Sequence, residues 1–117
     1  MTRLARDEGE VVAVTIVTFE EQMRGWMAVI PKARTPGHMA DAYRRLSEAL
    51  ESFARLRVLP LDLQAARHFG QLRTIHRRRG AADLKIAAVA TIHRGHLLTR
   101  NVRDFEGIEG LVVENPL

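Results

Sequence analysis

Three carboxylates placed far apart along the chain, Glu21, Asp83 and Asp104, are the side chains with the clearest chemical promise. Asp83 sits near the start of Gly80-Ala-Ala-Asp-Leu-Lys-Ile-Ala-Ala-Val-Ala-Thr-Ile-His93. The apolar residues Ile86, Val89, Ala90 and Ile92 predict a helix over Ala81–His93 that is apolar nearly all round and therefore buried. A carboxylate in the first turn of such a helix is favoured by the helix dipole, and capping alone would account for Asp83. Asp104 follows about one strand later. Gly95 fits the left-handed stop of the helix, His96–Thr99 reads as a short strand, and Arg100–Asp104 is a polar loop beyond its carboxyl end. That topology would return Asp104 toward the amino end of the Asp83 helix. Two carboxylates in one crevice repel, and a hard divalent cation held by oxygen ligands relieves the repulsion.

Glu21 carries the same two readings. Thr18 stands where an N-cap belongs and Glu21 three residues later, which is a capping box. The junction from strand to helix is also the edge where an α/β sheet binds ligands.

The elements that must position these acids can be read in order. Val11–Val17 is β-branched and almost continuously apolar, the composition of a strand buried on both faces of a parallel sheet. A helix bearing Met23, Trp26, Met27 and Ile30 follows and ends at Pro31, and a loop spans Lys32–Gly37. From His38 the spacing of Met39, Ala42, Tyr43, Leu46, Leu50 and Phe53 predicts an amphipathic helix, the second arm of a hairpin whose apolar surplus is either core or a dimer surface. Leu56–Leu59 is a short strand, and Asp62 caps a helix with Leu63, Ala66, Phe69, Leu72 and Ile75. The final strand is Leu111–Val113. Met1–Glu10 is mixed and charged, reading as a helix end plus a loop. The expected class is α/β with one domain over 1–117, in three layers: a central parallel sheet flanked by helices.

Composition narrows the function. With no cysteine, disulfide frameworks and thiolate zinc sites are excluded. The five histidines lack metal-ligand spacing. No apolar run approaches the roughly 20 residues of a membrane span, so a cytoplasmic location is expected. Net charge is +4, and apart from Lys32 and Lys85 the basic residues are arginines, which suit phosphate or carboxylate partners. An arginine-rich surface also follows from a GC-rich genome. The run Arg77-Arg-Arg79 precedes the Asp83 helix: it is either a solvated loop or a seat for a phosphodiester backbone, with Arg100 a further basic position.

Gly80-Ala-Ala-Asp-Leu-Lys-Ile-Ala-Ala, then Leu98-Thr-Arg-Asn-Val-Arg-Asp-Phe105, then Ile108-Glu-Gly-Leu-Val-Val-Glu-Asn115 resembles the carboxyl-terminal half of a PIN-domain ribonuclease of the VapC toxin kind, and Thr18-Phe-Glu-Glu21 with Arg24-Gly25 resembles the family's second acidic motif. The resemblance implies a PIN-like fold and a toxin of a type II toxin–antitoxin system, an endoribonuclease cutting RNA with metal-activated water. It implies Glu21, Asp83 and Asp104 as catalytic metal ligands for Mg²⁺, or Mn²⁺, with Thr99 and Asn101 in support. RNA along Arg77, Arg78, Arg79 and Arg100, a VapB-like antitoxin and a homodimer complete the expected partners.

The pattern departs from the family at the start. A PIN domain opens on a central strand ending in an aspartate, usually in an Asp-Thr turn, whereas Met1–Glu10 resembles the end of the family's first helix. The expectation is a shortened chain without the N-terminal strand, either because the true start lies upstream or because the short form is genuine. An open slot in the sheet and a weaker cation site would follow. The alternative function is a catalytically impaired protein that binds RNA or antitoxin without cleavage, and a nuclease acting on DNA is a third reading.

Overall fold

The computed structural model describes residues 4–6 and 12–115. Its backbone forms one five-stranded sheet with helices over it: β1 Leu4–Arg6, β2 Val12–Thr15, α1 Ile16–Val29, α2 Pro36–Ala54, β3 Arg57–Leu59, α3 Leu63–Ile75, α4 Ala81–Ile92, β4 His96–Leu98 and β5 Val112–Glu114. Spatial order is β3-β2-β1-β4-β5. The α/β class and the PIN-like arrangement of sheet and helices are as expected.

The start of the chain differs from expectation. Leu4–Arg6 is a strand, not the end of a helix, and it takes the slot that a shortened chain was expected to leave open. It pairs antiparallel with β2 through Leu4↔Val14, Ala5↔Ala13 and Arg6↔Val12, and antiparallel with β4 through Leu4↔Leu98 and Ala5↔Leu97. β2 with β3 and β4 with β5 are parallel pairs. The sheet is therefore mixed, with one reversed strand between two parallel halves. The cause is backbone accounting: the inward edges of β2 and β4 carry amides and carbonyls that need partners. The remainder of Met1–Glu10, Asp7 included, and Val11 lie outside the described residues.

Helix starts follow local chemistry. Thr15, not Thr18, caps α1: its Oγ1 accepts the Thr18 amide hydrogen at 3.1 Å and lies 3.1 Å from the Thr18 hydroxyl. Thr15 is also the last residue of β2 paired with β3, opposite Leu59. One threonine thus ends the strand and starts the helix, and Glu21 falls a turn too late for the capping box. α2 begins at Pro36 instead of His38, with Thr35 accepting the His38 amide at 3.1 Å and proline in the first turn. Asp62 caps α3 through the Ala65 amide at 2.9 Å, as expected.

α4 is the core helix. Leu84 and Ile86–Ala90 are buried, together with Val17, Leu59, Leu72, Leu97, Phe105 and Ile108. Its alanines let α1, α3 and the sheet approach closely. At the near end of the hairpin, Phe19 of α1 meets Phe53 of α2 edge to face, centroids 5.0 Å apart. Contact between the start of one helix and the end of the next makes the pair antiparallel. Among the described residues, no helix is long and apolar enough to cross a membrane.

Gly95 is required twice over. Its φ is +67°, and a Cβ there would lie 2.4 Å from the Gly110 carbonyl oxygen. Its own carbonyl accepts the Val112 amide at 2.7 Å, which starts the β4–β5 pairing. Gly95→Ala is expected to cost at least about 1–3 kcal/mol through backbone strain and to lower the urea midpoint. Ala5→Pro, which removes an amide hydrogen from the sheet's centre and leaves its acceptor unpaired, is expected to cost at least about 1–3 kcal/mol in the same measurement. An unchanged midpoint would show that β1 is not essential to the sheet.

Candidate functional site

The chain leaves β2 toward β3 on one side and runs from β4 to β5 on the other. The reversal lies between β2 and β4, and the carboxyl ends of strands flanking such a switch leave a crevice. A cavity of about 580 Å³ lies at this end, lined by Thr18, Glu21, Gln22, Gly25, Trp26, Val29 and Asn101. Two elements build it. α1 leaves β2 and presents one face at positions 18, 21, 22, 25, 26 and 29, the helical repeat. The segment after β4 contributes Asn101 from the other side.

Thr99 shapes that second wall. It is buried, its amide donates to the Glu114 carbonyl at 2.9 Å, and its Oγ1 accepts the Asn101 amide at 3.1 Å. The hydroxyl closes a tight turn two residues long and so sets Asn101 at the cleft. Thr18 is also buried, with its hydroxyl against Thr15.

Of the expected site residues, Glu21 and Asn101 share this cavity. Asp83 lies in the first turn of α4 and is partly buried. Its Oδ2 is directed back toward the N-cap, 3.8 Å from where a Cβ on Gly80 would lie. Gly80 has no side chain with which to cap α4, so the carboxylate complements the helix's positive end. Asp104 is exposed, at the end of a 3₁₀ turn over Val102–Asp104. Neither Asp83 nor Asp104 lines the cavity with Glu21.

The cavity thus holds Glu21 and Asn101 of the expected set, while Asp83 and Asp104 lie on other elements. Among the described residues, no three of His, Cys, Asp and Glu gather closely enough to hold a metal ion. A hard cation needs several oxygens converging at short range. Asp83 is directed toward the start of its own helix.

The arginines divide. Arg77, Arg78 and Arg100 are exposed. The Arg77 Nε donates to the Thr74 carbonyl at 3.4 Å. Arg79 is half-buried and turns to the main chain: its Nη1 donates to the Asp104 carbonyl at 2.7 Å and its Nη2 to the Glu106 carbonyl. Its guanidinium is a clamp between the α3–α4 corner and the Asp104 turn, a use that the run of three arginines did not foretell. Gln22 and Trp26 were also not singled out as site residues, although their positions on the Thr18–Val29 face of α1 carry the signal. Away from the cleft, on α2, the Arg44 side chain is hydrogen-bonded to Asp41 at 2.5 Å and holds that carboxyl below the usual carboxylate range.

With this geometry in view, residues 2–111 match the model of the PIN domain family. No curated protein matches the sequence. Among solved structures, a member of the VapBC family of toxin–antitoxin systems from Mycobacterium tuberculosis, VapBC-5, is similar at 30% identity and a TM-score of 0.65, over 86% of this chain and 79% of that one. VapBC2 from Rickettsia felis, solved bound to a DNA fragment from its promoter, shares the fold at 23% identity and a TM-score of 0.68, over 92% of this chain and 77% of that one. The cleft at the strand switch, the family model across nearly the whole chain and the likeness to VapBC-5 together place this protein in the PIN domain family, among the VapC toxins of toxin–antitoxin systems.

Proposed function

We propose that the chain is an endoribonuclease toxin of a type II pair, acting in the cytoplasm on single-stranded or looped RNA and restrained by a VapB-like antitoxin. The observation that carries this reading is the cleft itself, where Glu21, Gln22 and Asn101 line the carboxyl end of a PIN-type sheet. Glu21, Asp83 and Asp104 are the proposed catalytic carboxylates, and Mg²⁺, or Mn²⁺, is the cation that such oxygen donors would favour. Thr99 holds the Asn101 turn, and Asn101 offers an amide to the substrate or to a carboxylate. Arg77, Arg78 and Arg100 stand exposed where a phosphate backbone would pair with them. A homodimer is the proposed assembly.

A second reading is favoured by the absence of a three-acid group among the described residues: a protein that binds RNA or antitoxin without cutting. Cleavage assays separate the two. Under the first, single-stranded RNA is cut in Mg²⁺, and Glu21→Gln or Asp83→Asn slows the reaction at least about 100-fold, the size expected when a group that stabilises developing charge is removed. Cleavage that persists in Asp83→Asn rejects that residue's role. RNA or antitoxin binding with no turnover supports the second reading. In either case, Arg78→Ala or Arg100→Ala is expected to reduce the slope of log affinity against log salt by about 0.7 for each phosphate that the arginine no longer neutralises.

A further inference from the structure

The geometry points to Arg79 as a positioning residue that fixes the Asp104 turn against the start of α4, and not as a contact to RNA. Its consequence for catalysis rests on the nuclease reading above; its structural part does not.

Arg79 immediately precedes Gly80, the N-cap of α4, and its own amide donates to the His76 carbonyl at 3.1 Å. Its position is therefore set by the corner that launches the Asp83 helix. From there the two ends of the guanidinium reach carbonyls 25 and 27 residues further along the chain. The receiving turn is a compact unit. The Asp104 amide donates to the Asn101 carbonyl at 3.1 Å, and the Phe105 and Glu106 amides donate to the Val102 carbonyl at 3.0 Å and 2.9 Å. Phe105 and Ile108 root the unit in the core. Gly107 has φ +80°, and a Cβ on it would lie 3.6 Å from the Arg79 Nη2.

A planar fork is what two carbonyls two residues apart require. Lysine offers a single compact ammonium that cannot match the spaced pair with the same rigidity. Both outer nitrogens of Arg79 are directed at main-chain oxygens, so its end-on edge, one of those that grip a phosphate in a paired fashion, is already engaged. Exposed Arg77 and Arg78 remain the residues suited to that task. Arg79 thereby links the corner that launches Asp83 to the turn that carries Asp104, and the lateral placement of the second carboxylate depends on it. A displacement of about 1 Å at a reacting group costs on the order of 10²-fold in rate.

Three measurements on the full chain test this. Amide hydrogen exchange at residues 104–106 is expected to accelerate at least about tenfold in Arg79→Ala, while α3 amides keep wild-type protection. The salt dependence of single-stranded RNA binding is expected to stay at the wild-type slope in Arg79→Ala while it falls in Arg78→Ala. Arg79→Lys is expected to lower kcat on the order of 10- to 100-fold with KM nearly unchanged, and methylguanidinium added to Arg79→Ala to restore part of kcat. Unchanged exchange at 104–106, or a salt slope that falls as in Arg78→Ala, overturns the assignment. If the wild-type chain does not cut RNA, the nuclease reading fails by itself, and exchange still decides the role of Arg79.

Discussion

The inward edges of β2 and β4 are the constraint from which the rest of the architecture follows. Each strand is satisfied on its outer side by a parallel neighbour, β3 or β5, and each presents a second row of backbone groups toward the other. Buried backbone groups without partners are costly. Leu4–Arg6 supplies partners to both rows at once, with Ala5 opposite Ala13 on one side and Leu97 on the other. A short strand suffices because its alanine is small and fully enclosed. The sheet closes, and the reversal of chain direction that produces a cleft stays at its middle.

That cleft depends on two hydroxyls that carry no chemistry of their own. Thr15 ends β2 and starts α1, so that the face of Thr18, Glu21, Gln22 and Trp26 emerges directly over the strand's carboxyl end. Thr99 follows β4 and folds Asn101 back to meet that face. Each is buried, and each performs a backbone task with a side-chain oxygen. The acids are then distributed by separate devices: Glu21 by the helical repeat, Asp83 by the dipole of α4, and Asp104 by the turn that Arg79 holds. Each carboxylate is thus placed by a different element of the fold.

α4 illustrates how composition becomes position. A helix with apolar residues on every side has no solvent face, so it can only sit between other elements, and here α1, α3 and the sheet cover it. Gly95 then permits the chain to leave α4 against the Gly110 carbonyl and enter β4 in register with β5. The polar turn beyond β4 inherits its place from this packing, and its fine placement from Arg79.

Much was legible in the residues themselves. The apolar run Val11–Val17, of which 12–15 is strand while Ile16 and Val17 begin α1, the amphipathic spacing of α2, the Asp62 cap, the buried α4 and the glycine stop are local consequences of side-chain size, polarity and backbone freedom, and apart from that strand end they followed from order along the chain. Glu21 and Asn101 could likewise be singled out as polar residues beyond strand ends. Tertiary structure alone decided the rest. Whether three-residue Leu4–Arg6 is helix end or strand depends on edges that β2 and β4 present only once folded, because so short a segment has no periodicity to read. Whether Thr15 or Thr18 caps α1 depends on where pairing with Leu59 ends. Whether Arg79 faces RNA or a carbonyl pair, and whether acids distant in sequence meet, depends on distances between elements, which the order of residues does not encode locally.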